Sequence, residues 1–248
     1  MCGDDSCNIA GLPIDRIEQT IQPNDAKRVA LDDLADASAK AAQGVTAACP
    51  TDVTLTAPIR LAHMQQRIEA MTAALEIVQP PLKKLYGLLT DEQKLRLAAL
   101  GQDQRQSQIA QKTAPSLGQT CGAAQPGATA WPTAEINRTV RPTEAQRDSL
   151  VTLEDDPTKA AEMLKASCEP DNSRTPPVRL AAVGKRLDTM LRAVKTVRAG
   201  LDDFYGALSD EQKAKFEAIG SKRTSESDGP TAREAHYRGR NVEGDVRK

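Results

Sequence analysis

Aromatic residues make up only 2% of the 248 positions: one Trp, three Tyr and two Phe. Sheet cores favour β-branched and aromatic side chains. An apolar content made mostly of Ala, Leu and Val points instead to helix–helix packing, and the predicted fold is all-α. Histidine is nearly absent, with only His63 and His236, and there is neither a Cys-x-x-Cys pair nor a Gly-rich phosphate loop. No nucleophile–base pairing or nucleotide cradle can be drawn from such residues, so the chain reads as a non-enzyme with no cofactor. Excess charge is missing too. With 33 basic and 34 acidic residues the net charge is −1, which gives no general attraction for nucleic acid or anionic lipid. No apolar run reaches the roughly 18 residues that a membrane helix needs, so no membrane insertion is expected. The start, Met1-Cys2-Gly3-Asp4-Asp5, carries neither a basic nor an apolar signal region.

What the chain does have is a duplication. Leu89-Thr90-Asp91-Glu92-Gln93-Lys94 returns 119 positions later as Leu208-Ser209-Asp210-Glu211-Gln212-Lys213. The same offset carries Pro23 onto Pro142, Leu31 onto Leu150, Cys49 onto Cys168, and Arg60-Leu61-Ala62 onto Arg179-Leu180-Ala181. Met71 likewise maps on Met190, and Tyr86-Gly87 on Tyr205-Gly206, without a gap. The chain divides into a first repeat over 1–101 and a second over 131–220. Between them, 102–130 holds a Gln- and Ser-rich linker, helical at most at its start, and a loose lead-in from Cys121. The tail 221–248 has seven basic and five acidic residues and few apolar ones. It cannot bury enough surface to order itself, so a disordered tail is expected.

Each repeat reads as a helical hairpin with short helices at its ends. A short helix over 13–21, matched by 132–140, precedes a second that starts after Pro23 or Pro142. Thr143 and Gln146 form a capping box there, in which the hydroxyl accepts from the backbone three residues on and Gln reaches back to the cap's own N–H. In the first repeat Asn24 caps without the Gln. This helix buries Leu31, Leu34 and Val45, or Leu150, Leu153 and Leu164, and Pro157 is expected to interrupt it in the second copy. The long helix comes next, with apolar positions Leu61, Met64, Ile68, Met71, Leu75, Val78, Leu82, Leu85 and Leu89 alternating steps of three and four. The second copy repeats that coiled-coil-like stripe from Leu180 to Leu208. Pro80-Pro81 should kink it in the first copy, where the second has Ala199-Gly200. Thr90 with Gln93, and Ser209 with Gln212, then cap a closing helix that ends at Gly101 or Gly220.

Four of the five cysteines obey the repeat. The simplest pairing is Cys2–Cys49 and Cys121–Cys168, one bridge per unit, each worth about 4 kcal/mol through the loop it closes. Cys7 has Pro126 at its equivalent position. Metal binding is the competing reading, against which the long spacings and scarce histidines weigh. Bridges imply an oxidising compartment, which fits the missing signal if the sequence is a truncated one. A cytoplasmic location is the alternative.

A hairpin that opens on Pro-Thr-Glu-Ala-Gln and closes on Leu-Thr-x-x-Gln resembles the Spy/CpxP-like LTxxQ-motif family of bacterial envelope proteins. The closing motif is Leu89-Thr90-Asp91-Glu92-Gln93 and, with Ser for Thr, Leu208-Ser209-Asp210-Glu211-Gln212; the opening one is Thr143–Gln146 and, degraded, Asn24–Lys27. The resemblance implies an ATP-independent periplasmic chaperone or stress-response adaptor, all-helical, whose members pair two chains into a thin cradle. Here the two repeats could pair with each other as an intrachain pseudo-dimer, with a homodimer as the alternative. The partners implied are unfolded proteins. The other readings are a sensor partner for one specific protein, or a metal-responsive envelope protein that would need ligands this chain mostly lacks.

Charge is uneven in one place. Arg179, Lys185, Arg186, Arg192, Lys195 and Arg198 face a single Asp188 on the second long helix, whereas the first is balanced. Such a face could give unfolded clients a fast, weak encounter. The bland reading is a solvated flank whose stems cover the helix's own core. Tyr86 and Tyr205 read as end-of-helix core residues.

Overall fold

The structure, a computed structural model, describes residues 13–49, 56–111, 132–167 and 175–227, with the side chains of 103–111 and 221–227 outside that description. Among the described residues there are eight helices and no strand. In the first repeat these are α1 (Ile14–Ile21), α2 (Asp25–Ala47), α3 (Ala57–Leu88) and α4 (Asp91–Gln111). The second repeat has α5 (Thr133–Thr139), α6 (Glu144–Ala166), α7 (Pro176–Gly206) and α8 (Asp210–Ser227). The fold class expected from composition and periodicity is the one found: two tandem helical hairpins.

Local chemistry sets the starts. Asn24 Oδ1 accepts the Lys27 N–H at 3.2 Å to open α2, and Thr143 with Gln146 opens α6 as a capping box. Pro58 and Pro177 sit in the first turns of α3 and α7, where a missing N–H costs nothing. The turn before α2 places Gln22 at φ 45°, and that before α6 places Arg141 at φ 52°. Both repeats thus use a left-handed, non-glycine residue at the same register.

The hairpins α2–α3 and α6–α7 pack along their lengths, and α3 packs on α7. Gln65 meets Arg198, Glu69 meets Lys195, and Leu75 with Gln79 meets Gly184. Position falls along α7 as it rises along α3, so these rods of 32 and 31 residues run antiparallel. Each is about 47 Å long at 1.5 Å per residue. A core closes each end of the pair. One holds Ile17, Ile21, Leu31, Leu34, Leu85 and Leu89. The other holds Ile136, Val140, Leu150, Leu153, Phe204 and Phe216, and the first repeat's Ala57 and Leu61 pack against it. Both phenylalanines of the chain are spent there, edge to face with ring centres 5.8 Å apart.

Three expectations need correction. Pro157 does not interrupt α6, which runs through it. Burial of Leu150, Leu153 and Ala160 on that helix outweighs the lost hydrogen bond and the ring clash, worth about 3 kcal/mol. Gly101 and Gly220 are not C-caps either. Helix α4 continues to Gln111 and α8 to Ser227, because one glycine costs a helix only about 1 kcal/mol and the Gln and Arg residues beyond Gly101, like Lys222 and Arg223 beyond Gly220, are good helix formers. The last helix of the second repeat therefore runs past the boundary expected at 220, and 228–248 lie outside the described residues. Third, the apolar stripe is not uniformly covered: Ile68, Leu85, Leu187 and Leu201 are buried, while Met64 and Val183 are exposed. Pro80 and Pro81 lie inside α3, at the place where the kink is expected. Where α7 has Gly200, α6 comes so close that a Cβ would collide with the Asp156 carboxylate.

Candidate functional site

The glutamine of each closing motif does more than cap. In the first repeat Thr90 N–H donates to Gln93 Oε1 at 3.1 Å and Gln93 N–H donates to Thr90 Oγ1 at 3.3 Å. Gln93 Nε2 then donates to the Ile21 carbonyl at 2.5 Å, one of the acceptors left open at the end of α1. Lys27 Nζ, from the first turn of α2, donates to Gln93 Oε1 at 2.7 Å. A single amide therefore joins α1, α2 and α4.

The second repeat builds the same junction with different groups. Ser209 N–H donates to Gln212 Oε1 at 2.9 Å, and Gln212 N–H donates to Ser209 Oγ at 3.3 Å. Gln212 Nε2 reaches the Val140 and Arg141 carbonyls, each at 3.4 Å. Gln146 stands where the first repeat has Lys27, and its amide faces that of Gln212 with paired N–H to O contacts of 3.1 and 3.0 Å. It also donates to the Ala207 carbonyl at 2.6 Å, beside the end of α7. Lys94 over Tyr86 and Lys213 over Tyr205, each 5.7 Å from the ring centre, complete the matching corners.

One residue unforeseen in the sequence ties the repeats together. Glu217 on α8 accepts the Ala57 N–H at 2.7 Å and the Arg60 guanidinium at 3.2 Å, both from the start of α3. Its counterpart in the first repeat is Ala98, so the opposite end lacks this clamp. Burial pushes the Tyr205 phenol above its ordinary range, and the neighbouring Glu217 charge raises it further. The only signal in the sequence was a Glu where the repeat has Ala.

The six basic residues of α7 do not form one face. At 100° per residue Lys185, Arg192 and Lys195 cluster within about 80°, while Arg179 and Arg186 point to the far side. Lys195 and Arg198 are spent on the partner helix, against Glu69 at 3.6 Å and Gln65 at 2.9 Å. Arg198 also pairs with Asp202 at 3.3 Å. Arg179 lies against Gly101. Lys185 and Arg192 remain exposed, Arg192 near the Thr189 hydroxyl at 3.4 Å.

Two pairs of exposed apolar side chains obey the duplication as well, whereas Val29, Leu88, Leu95 and Val151 have Asp or Ala at their counterparts. Ile59 is 44% exposed and its counterpart Val178 48%; Met64 is 50% exposed and its counterpart Val183 44%. Of the cysteines expected to pair, Cys49 is described, half-buried at the end of α2 and disulfide-bonded. Cys2, Cys121 and Cys168 lie outside the described residues, as does Cys7. Among the described residues no three His, Cys, Asp or Glu side chains gather as a metal would require, and no helix is long and apolar enough to cross a membrane.

Two helical hairpins in tandem, each locked by a glutamine at a three-helix junction, define the class. The family model for LTXXQ motif family proteins matches residues 9–101 and 128–220, two segments separated by the repeat's own offset. These cover most of the chain, which belongs to the LTXXQ motif family. No curated protein and no solved structure matches it.

Proposed function

We propose that the chain is an ATP-independent, periplasmic chaperone-like protein that holds unfolded or stress-damaged proteins on the paired rods of an intrachain pseudo-dimer. Family membership supports an envelope-stress role. The observation that carries the reading is the repeated exposure of Ile59, Met64, Val178 and Val183. Scattered aliphatics are ordinary on any surface. They recur at matching register on the two helices that pack together, so the pairing presents the same exposed aliphatic positions twice, where another chain can cover them. Lys185 and Arg192 stand seven and fourteen residues after Val178, on the same stripe of α7, and add longer-range attraction. Neither contribution needs a nucleotide or a catalytic group, so the chain is read as a non-enzyme. The bridges Cys2–Cys49 and Cys121–Cys168 fit an oxidising compartment.

Light scattering of an aggregating, unrelated protein in oxidising buffer without ATP tests this. Suppression near one-to-one ratio, weakened by salt, is expected. The variant Met64→Ser with Val183→Ser should need several-fold more protein for equal suppression while losing only about 1–2 kcal/mol of stability, because both side chains already sit half in water. Absence of suppression, together with a single stoichiometric complex in a pull-down, would replace the holdase by an adaptor for one specific partner.

A further inference from the structure

One groove recurs in both repeats, with its chemistry changed. Between α1 and α2 it measures about 570 Å³ and is lined by Asp15, Glu18, Gln22 and Arg28 among others. Between α5 and α6 it measures about 620 Å³, with Thr133, Asn137, Arg141, Arg147 and Glu154 as its polar lining. The repeat offset makes Asn137 the counterpart of Glu18, Arg147 of Arg28, and Arg141 of Gln22. In the first groove Glu18 holds Arg28 at 3.5 Å, so the guanidinium is neutralised by its own wall. In the second, that acid is gone and a second guanidinium has been added. Neither Arg141 nor Arg147 makes an ion pair among the described residues. Thr133 Oγ1, on the same wall, is buried without a hydrogen-bond partner. Leu150 and the exposed Val151 supply an apolar side.

We propose that the α5–α6 groove is a binding site for the carboxylate of an acidic, aliphatic peptide segment. A guanidinium presents a planar fork of donors that fits a carboxylate with two parallel hydrogen bonds. Two guanidiniums against the single carboxylate of Glu154 leave one net positive charge. One carboxylate neutralises that charge, whereas a phosphate dianion would leave the groove with a net negative charge beside Glu154. Val151 lies beside the charged groups, where an aliphatic neighbour of the bound carboxylate can be covered. The site is separate from the exposed aliphatics of α3 and α7 and does not depend on the holdase reading.

Fluorescence anisotropy on the full chain tests it, with a labelled short peptide of alternating Glu and Leu and the same peptide with Gln for Glu. At low salt the Glu peptide should bind about tenfold tighter or more. Asn137→Glu installs the first repeat's own ion pair, and Arg141→Gln installs its own residue. Both have a folded precedent at the same register, and each should weaken the Glu peptide about tenfold without changing the Gln peptide. Glu18→Asn, in the other groove, should not weaken it. Equal binding of the two peptides, or full affinity in both second-repeat variants, overturns the proposal. So does displacement of the peptide by inorganic phosphate at lower concentration than acetate. These peptides do not aggregate, so failure here leaves the light-scattering result standing, and the reverse.

Discussion

A single side-chain amide decides how each repeat closes. Gln93 satisfies the backbone at the start of α4 and the open Ile21 carbonyl at the end of α1. Gln93→Ala removes both, so the expected cost is about 2 kcal/mol in urea unfolding, roughly one for the cap and one for the carbonyl left unpaired. Thr90→Ala loses only the hydroxyl's share and should cost about 1 kcal/mol. Equal losses would reduce the glutamine to an ordinary cap. Gln22 shows the opposite kind of residue: at φ 45° it holds a conformation that suits glycine. Gln22→Gly should stabilise by about 0.5–1 kcal/mol, since relief of the left-handed strain exceeds the added freedom of the unfolded chain. Tyr205 sets a pH response. Its phenol is raised by burial and then by Glu217, so the folded state holds the proton more tightly than the unfolded one. The stability this gives is complete below about pH 10 and is lost as pH rises through and beyond it. Between about pH 8 and pH 11 the parent should lose more stability in urea than Tyr205→Phe does. The capping boxes were legible from Thr-x-x-Gln and Ser-x-x-Gln spacing alone. The reach of Gln93 to Ile21 and Lys27 was not, because no local pattern records that three helix ends meet.

At the scale of helices, the sequence named the elements and misplaced their ends. Glycine and proline were read as stops at Gly101, Gly220 and Pro157, but each is a local penalty of about 1–3 kcal/mol that tertiary burial can outweigh. The buried partners that decide the contest lie on another helix, where a reading along one stretch of sequence has no access to them. Pro80 offers a direct measure of that penalty. It is exposed and inside α3, so Pro80→Ala loses no core contact and regains a backbone donor. A gain of about 1–3 kcal/mol is expected in urea unfolding; no gain would mean that the helix has already relaxed around the ring. The two ends of the rod pair also differ. Pro176 stands where the first repeat has Ala57, so it offers no N–H to an acid placed opposite. Glu217→Ala should therefore cost more than Ala98→Glu gains, about 1–2 kcal/mol against less than 1.

For the whole molecule, the duplication carries the architecture further than any single motif. An offset of 119 residues relates Gln65 to Gly184 and Arg198 to Gln79. The contacts Gln65–Arg198 and Gln79–Gly184 are thus the same contact seen from either repeat, as a two-fold pairing of α3 with α7 requires. The symmetry is broken in charge. Glu69 meets Lys195, but their counterparts are Asp188 and Glu76, both acidic and both exposed. Pairing two first repeats from different chains would bring Glu69 toward Glu76 twice, which charge opposes. Pairing α3 with the α7 of another chain would reproduce every native contact, so contacts alone do not choose between one chain and two. Covalent connection does: a joined partner is present at an effective concentration in the millimolar range, far above the micromolar concentrations of a dilute sample. The unfolding midpoint in urea should therefore not move between about 1 and 100 µM, and sedimentation should give the mass of one chain, 26.7 kDa. An obligate two-chain assembly would instead gain about 2.7 kcal/mol over that hundredfold range. A midpoint that climbs with concentration would place the cradle between chains, and the duplicated aliphatic surface with it.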